Sequence, residues 1–162
     1  MRIRISTRWK AGLAAVTFAL AVASFAGSIS SAAGAPGAHR TSGATVKTSA
    51  TTLGRILVDA SGRSLYLYEK DKGGRSACYT ACAQVWTPLL TNGKPVAGTG
   101  AKASLLGITI RTGGTHQVTY AGHPLYRYAL DKQPGQTKGE GSKAFGADWY
   151  VLSPAGTKID KS

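Results

Sequence analysis

Short runs of branched and aromatic residues, each closed by glycine, recur from Leu53 onward and predict a mainly β structure. Residues 55–59, "RILVD", are broken by "ASG" and resume as "SLYLYE" (64–69), the pattern of a hairpin. "GITIR" (107–111), "HQVTY" (116–120) and "PLYRYAL" (124–130) are separated by "TGGT" and "AG", and predict a three-stranded meander. "WYVL" (149–152) and "TKI" (157–159) flank "SPAG" as a closing hairpin. "SACYTACAQVW" (76–86) lacks glycine and proline and predicts one short helix near Cys78–Trp86. Residues 91–104 and 132–147 read as loops from their glycine content.

The strands repeat. Residues 62–72 and 122–132 both read Gly-x-x-Leu-Tyr-x-Tyr-x-x-Asp-Lys, with every matched pair 60 apart. Side chains alternate along a strand, so Tyr66 and Tyr68 share one face, with Leu65 and Leu67 opposite, and Tyr126 pairs with Tyr128 in the same way. Asp71 and Asp131 each stand where the strand enters a turn, and there an aspartate accepts hydrogen bonds from backbone N–H groups just ahead. The sharper alternative is a site of tyrosine hydroxyls and two carboxylates near a pseudo-two-fold axis. A Trp-led segment follows each motif, "WTPLL" from Trp86 and "WYVLSP" from Trp149. Neither unit alone buries its tryptophan well, so two antiparallel hairpin/meander units, about 53–90 and 108–159, are expected to pack on a shared core.

The first residues belong to another category. Arg2, Arg4, Arg8 and Lys10 precede an apolar run from Ala11 to Gly27, and small residues follow. This is the pattern of a secretory signal peptide, residues 1–33, with Ser31-Ala32-Ala33 the preferred cleavage box. The alternative is a retained anchor, for which the apolar run is short. Residues 34–52 are mostly Gly, Ala, Ser and Thr and read as a flexible linker. Residues 53–162 then form a single two-repeat domain, with no membrane span once the signal is removed.

Charge adds a candidate partner. The chain has 20 Lys and Arg against 7 Asp and Glu. Four basic residues leave with the signal, so 16 face 7 and the net charge is +9. Such a surface favours anionic partners, here cell-envelope polymers. The basic residues are scattered and match no nucleic-acid motif, so no specific nucleic acid is expected.

Candidate chemistry is sparse. Cys78 and Cys82 are the only cysteines, and an even count in an exported chain favours a structural disulfide. Two thiolates at this spacing also suit Cu(I) or redox work, with His116 or His123 as a third ligand. Asp71 and Asp131 are conceivable as a hydrolytic pair. His39 lies in the linker, and no nucleophile elbow, zinc helix or phosphate loop is present. No catalytic residue, cofactor or metal is assigned.

Taken together, Tyr66-Leu-Tyr68-Glu-Lys-Asp71, Tyr126-Arg-Tyr128-Ala-Leu-Asp131, "SACYTACAQVWTPLL", "QVTYAGHPLYRY", "PGQTKGEG" and "DWYVLSPAG" resemble the bacterial secreted-repeat lipoproteins of unknown function. The resemblance covers residues 53–157. It implies an exported, envelope-associated repeat protein and brings no established activity. Many members begin with a lipid-bearing cysteine that this chain lacks, and Gln136 stands where the family usually has the aspartate of "PGDT". The expectation is an exported, non-enzymatic module, with an extracytoplasmic redox or copper-handling protein as the alternative and a hydrolase third.

Overall fold

The computed structural model describes residues 43–161. The expected signal peptide, His39 and the first part of the expected linker lie outside the described residues. No helix among the described residues is long and apolar enough to cross a membrane.

The fold is mainly β. The strands are β1 (Thr45–Thr51), β2 (Gly54–Asp59), β3 (Tyr66–Tyr68), β4 (Trp86–Pro88), β5 (Val96–Ala97), β6 (Leu106–Ile110), β7 (His116–Tyr120), β8 (His123–Pro124), β9 (Tyr126–Tyr128) and β10 (Trp149–Val151). One helix, α1 (Ala81–Val85), lies where the glycine-free stretch placed it.

Strand β1 corrects the linker. Residues 45–51 pair antiparallel with β2 and parallel with β5. Their composition is polar, but the ladder needs only backbone groups and threonine suits an extended chain. Of its two apolar residues, Val46 is fully buried and Ala50 is exposed. The repeat therefore begins earlier than Leu53, and β1 in the first half corresponds to β6 in the second.

The expected hairpins form with one difference. The turn after Asp59 folds the chain back, with Asp59 N–H donating to Arg63 O and Leu65 N–H to Leu57 O. Strand β3 then leaves β2 and enters another sheet. The second half does the same: β6, β7 and β8 form the meander, and the chain departs at Leu125 to make β9. Residues 152–159 fold back on β10 through a bridge between Leu152 and Lys158.

The departing strands build the centre of the molecule. A four-stranded sheet runs in the order β10-β3-β9-β4. Its members alternate between the second and first repeats, so the two copies share one interleaved sheet and do not occupy equivalent places in separate sheets. Tyr66 pairs directly with Tyr126 across the middle, which places a pseudo-two-fold axis between them. Trp149 sits opposite Tyr68, and Trp86 opposite Tyr128.

Both faces of this sheet are covered, as the alternation requires. Leu65, Leu67, Leu125 and Tyr150 join Val46, Leu57, Val118, Tyr120 and Leu152 on one side. Tyr66, Tyr68, Tyr126, Trp86 and Trp149 gather on the other with Ile56, Val58 and Val151. The indoles of Trp86 and Trp149 lie flat on each other, 3.9 Å apart. Tyr128 stacks on the outer face of Trp86 and Tyr68 on that of Trp149, at 4.3 Å and 4.0 Å. Each indole is thus sandwiched between the other indole and a tyrosine from the opposite repeat.

Candidate functional site

Every chemically distinctive residue of the repeat motif lies around this aromatic column. The Tyr66 hydroxyl donates to Asp131 Oδ2 at 2.6 Å. The Tyr126 hydroxyl donates to Asp71 Oδ2 at 2.8 Å. Each repeat therefore supplies the tyrosine for the other repeat's aspartate. The remaining oxygens close the turns: Asp71 Oδ1 accepts from Ala77 N–H at 2.7 Å and Asp131 Oδ1 from Lys138 N–H at 2.9 Å. Tyr68 plays a different part, donating to Phe145 O at 2.5 Å. The Tyr128 ring stacks on Trp86.

The leading glycine of each motif also reaches across. Gly62 and Gly122 both have φ near +80°, at +84° and +82°, where a side chain is strained. Gly62 lies under the second motif's turn, so that an added Cβ would come 3.1 Å from Pro134 Cβ. Gly122 O lies 3.3 Å from where a Cβ would stand on Gly74, in the first motif's turn. Within the second turn, Gln136 Oε1 accepts from Lys132 and Gln133 N–H, so the amide does the turn-closing work of a carboxylate.

Burial sets the protonation of the two carboxylates. It pushes the Asp71 carboxyl up to about 6, against the opposing pull of the Ala77 and Tyr126 hydrogen bonds and the Arg111 charge. Burial also raises Asp131, against the hydrogen bonds from Tyr66 and Lys138. Both motif tyrosines are raised by burial and by the carboxylate each one faces, so they stay protonated donors. An acid with a raised native pKa binds its proton more readily when folded. Its stabilising contribution is complete below the unfolded value, near pH 4, and is lost as pH rises through the native value. For Asp71 that window ends at about 6. The thermal midpoint is therefore expected to rise as pH falls from about 7 to about 5. His123, whose imidazole burial pushes down, acts in the opposite sense. Asp71→Asn should flatten the rise, and a midpoint that falls steadily over this range in the native protein would contradict the assignment.

A second polar cluster escaped the sequence. Arg111 is buried at 7% exposure and donates to Ser76 Oγ, Gln117 Oε1 and Cys78 O. Ser76 Oγ lies 2.8 Å from the Tyr126 hydroxyl oxygen, to which it can donate while Tyr126 donates to Asp71. Arg111, Gln117 and Ser76 thus buttress one of the two tyrosine–aspartate bonds. Arg111 ends a strand beside a glycine turn, a place that normally faces water. Its partners Ser76 and Cys78 are 35 and 33 positions away, so no local pattern marks it.

Cys78 and Cys82 form a disulfide and are buried beside the aromatic column. Both sulfurs are bonded to each other, and the described residues contain no group of three or more His, Cys, Asp or Glu arranged to hold a metal. His116 is exposed. His123, the other candidate third ligand, is half-buried and lines a cleft beside Asp71. Asp71 and Asp131 lie in opposite halves of the motif pair, each engaged by its own tyrosine and its own backbone donor.

The charge is distributed unevenly between inside and outside. All seven carboxylates are engaged within the fold. Asp59 takes the Ser61 and Arg63 N–H groups and pairs with Arg127. Glu140 accepts from Val151 N–H, Asp148 from Tyr150, and Glu69 and Asp160 pair with Lys158. Exposed cations remain around both motif turns: Lys70, Lys72 and Arg75 at the first, Lys132, Lys138 and Lys143 at the second.

A family model described as a secreted repeat of unknown function matches residues 47–90 and again 107–153. Both matches begin inside the outer hairpin strands β1 and β6, so the sequence unit and the structural unit coincide. No curated protein and no solved structure matches the chain.

Proposed function

Because the chain belongs to this family of secreted repeats, whose function is unknown, we propose that it is an exported, non-enzymatic module that attaches to anionic polymers of the cell envelope through its lysine-bearing turns. A secreted family places the protein outside the cytoplasm. One observation carries the reading: each of the seven carboxylates already has a hydrogen-bond or ion-pair partner within the fold, while the basic side chains at both motif turns face solvent. Attraction of this kind is long-ranged and screened by salt. The tyrosines, tryptophans and aspartates of the two repeats serve to hold them together, which leaves the turns as the outward-facing part.

The test is equilibrium binding to purified polyglycerol phosphate, with neutral dextran as control. Binding is expected to the phosphate polymer alone. It should weaken at least about tenfold as salt is raised from about 0.05 to 0.5 M, where the Debye length shortens several-fold. Lys132→Glu, Lys138→Glu and Lys143→Glu combined should weaken it further with the fold intact. Binding that is indifferent to salt, or equal on dextran, would remove the proposal.

A further inference from the structure

The pseudo-two-fold axis makes each half of the molecule a template for the other, and one difference between the halves leaves a cleft. Beside the second motif's turn lies Arg63, which follows Gly62 in the first repeat and crosses to the opposite repeat. Its Nη2 donates to Tyr128 O at 3.0 Å. The same carbonyl accepts Asp131 N–H at 3.2 Å as the motif turn closes. The guanidinium charge acts on Asp131, whose residue is left 1% exposed. Arg63 therefore occupies the space beside the Tyr128 carbonyl, close enough to Asp131 for its charge to act there.

Beside the first motif's turn the corresponding residue, following Gly122 in the second repeat, is His123. The turn acceptor is the same: Tyr68 O takes Asp71 N–H at 3.0 Å. An imidazole is shorter than an arginine side chain and does not present a fork of parallel N–H donors. The space that Arg63 fills in one half is left open in the other, as a cleft of about 520 Å³. Its lining includes Tyr68, Glu69, Asp71, Lys72, His123 and Lys158. Asp71 is correspondingly more exposed than Asp131.

We propose that this cleft binds a guanidinium group of a small molecule or peptide, held by the Asp71 carboxylate and the Tyr68 carbonyl as Arg63 is held beside Asp131 and Tyr128. A guanidinium suits the two acceptors because its planar N–H groups diverge in a fork. Glu69 lies on the same rim and adds negative charge, although its Oε1 already accepts from Lys158 at 2.7 Å. Lys72 and Lys158 border the opening, and Lys158 also lies over the Tyr150 ring at 4.3 Å. These two cations match a ligand that carries a carboxylate besides its guanidinium, as a free arginine or a C-terminal arginine does. The site is separate from the exposed second turn on which the envelope reading is tested.

The experiment is calorimetric titration of the full mature protein with L-arginine, agmatine and L-citrulline. Arginine is expected to bind saturably and citrulline, its uncharged isostere, not to bind. Agmatine binding as well as arginine assigns recognition to the guanidinium alone and points to a peptide side chain. Weaker agmatine binding assigns a share to the carboxylate contact and points to a free amino acid or chain terminus. Asp71→Asn should weaken arginine by about tenfold, the loss expected for one charge-assisted hydrogen bond. His123→Arg should abolish binding, because the protein then supplies its own guanidinium, and Arg63→His should open a second equivalent site. If Asp71→Asn does not fold, the His123→Arg result decides. No saturable binding to the native protein, equal binding of citrulline, or undiminished binding to His123→Arg would each overturn the proposal.

Discussion

Trp149→Ala is expected to lower stability by about 3–5 kcal/mol, a large fraction of the roughly 5–15 kcal/mol that holds a domain folded. Trp149 is fully buried and touches aromatic rings from both repeats. One face of its indole stacks on Trp86 and the other on Tyr68, while Tyr126 meets it edge-on at 5.1 Å. Alanine removes the largest side chain of the core and leaves Trp86 with one bare face. Aromatic pairs add about 0.5–1.5 kcal/mol each beyond their buried area, so loss of three contacts compounds the cavity. Trp86→Ala should behave alike, because Trp86 has the mirror set of neighbours in Tyr128, Tyr66 and Trp149. Trp149→Phe, which keeps a flat ring in the column, should recover part of the loss. Urea unfolding measures all three. A loss of less than about 1 kcal/mol on Trp149→Ala would show that the column does not carry the core.

The second large effect is expected at Asp131. As a turn cap alone, its replacement by alanine would cost about 1 kcal/mol. The structure makes it more than a cap. Its carboxylate is buried and accepts the Tyr66 hydroxyl and the Lys138 N–H together. Asp131→Ala strands both donors, and each unsatisfied buried group costs about 1–3 kcal/mol. The expected loss is therefore about 2–4 kcal/mol. Asp71→Ala should cost less, because Asp71 borders an open cleft where water can replace the carboxylate. A double-mutant cycle of Tyr66→Phe with Asp131→Ala isolates the cross-repeat bond. Equal costs at Asp71 and Asp131, or a coupling near zero, would show that the hydroxyl–carboxylate bond is incidental.

The motif was legible because its features are local and periodic. Alternation of Leu65 and Leu67 with Tyr66 and Tyr68 implies a strand buried on both sides, and the two core clusters divide along that alternation. Glycine at 62 and 122 marks turns, and aspartate at 71 and 131 marks their closure. The spacing of 60 implies duplication without any structure. Strand β1 was illegible because its residues, "TVKTSAT", carry one buried apolar side chain, and its place depends on β2 and β5.

Partner choice among strands was also beyond the sequence. A strand's backbone groups are chemically alike wherever it lies, so alternation shows which faces are buried and says nothing of which strand lies alongside. Here β3 ignores β2, its hairpin neighbour, and takes β9 and β10 from the other repeat. The same holds for side-chain partners. Tyr66 reaches a carboxylate 65 residues ahead, and Arg111 turns inward to Ser76 and Cys78. Sequence by itself determined the repeat, its motif strands, its turns, the short helix and the basic balance of charge, all of which follow from neighbours close in the chain. Tertiary structure alone decided that the repeats interleave, that each tyrosine serves the other repeat's aspartate, and that His123 leaves open the cleft that Arg63 fills, because those contacts join residues that meet only when both halves are packed.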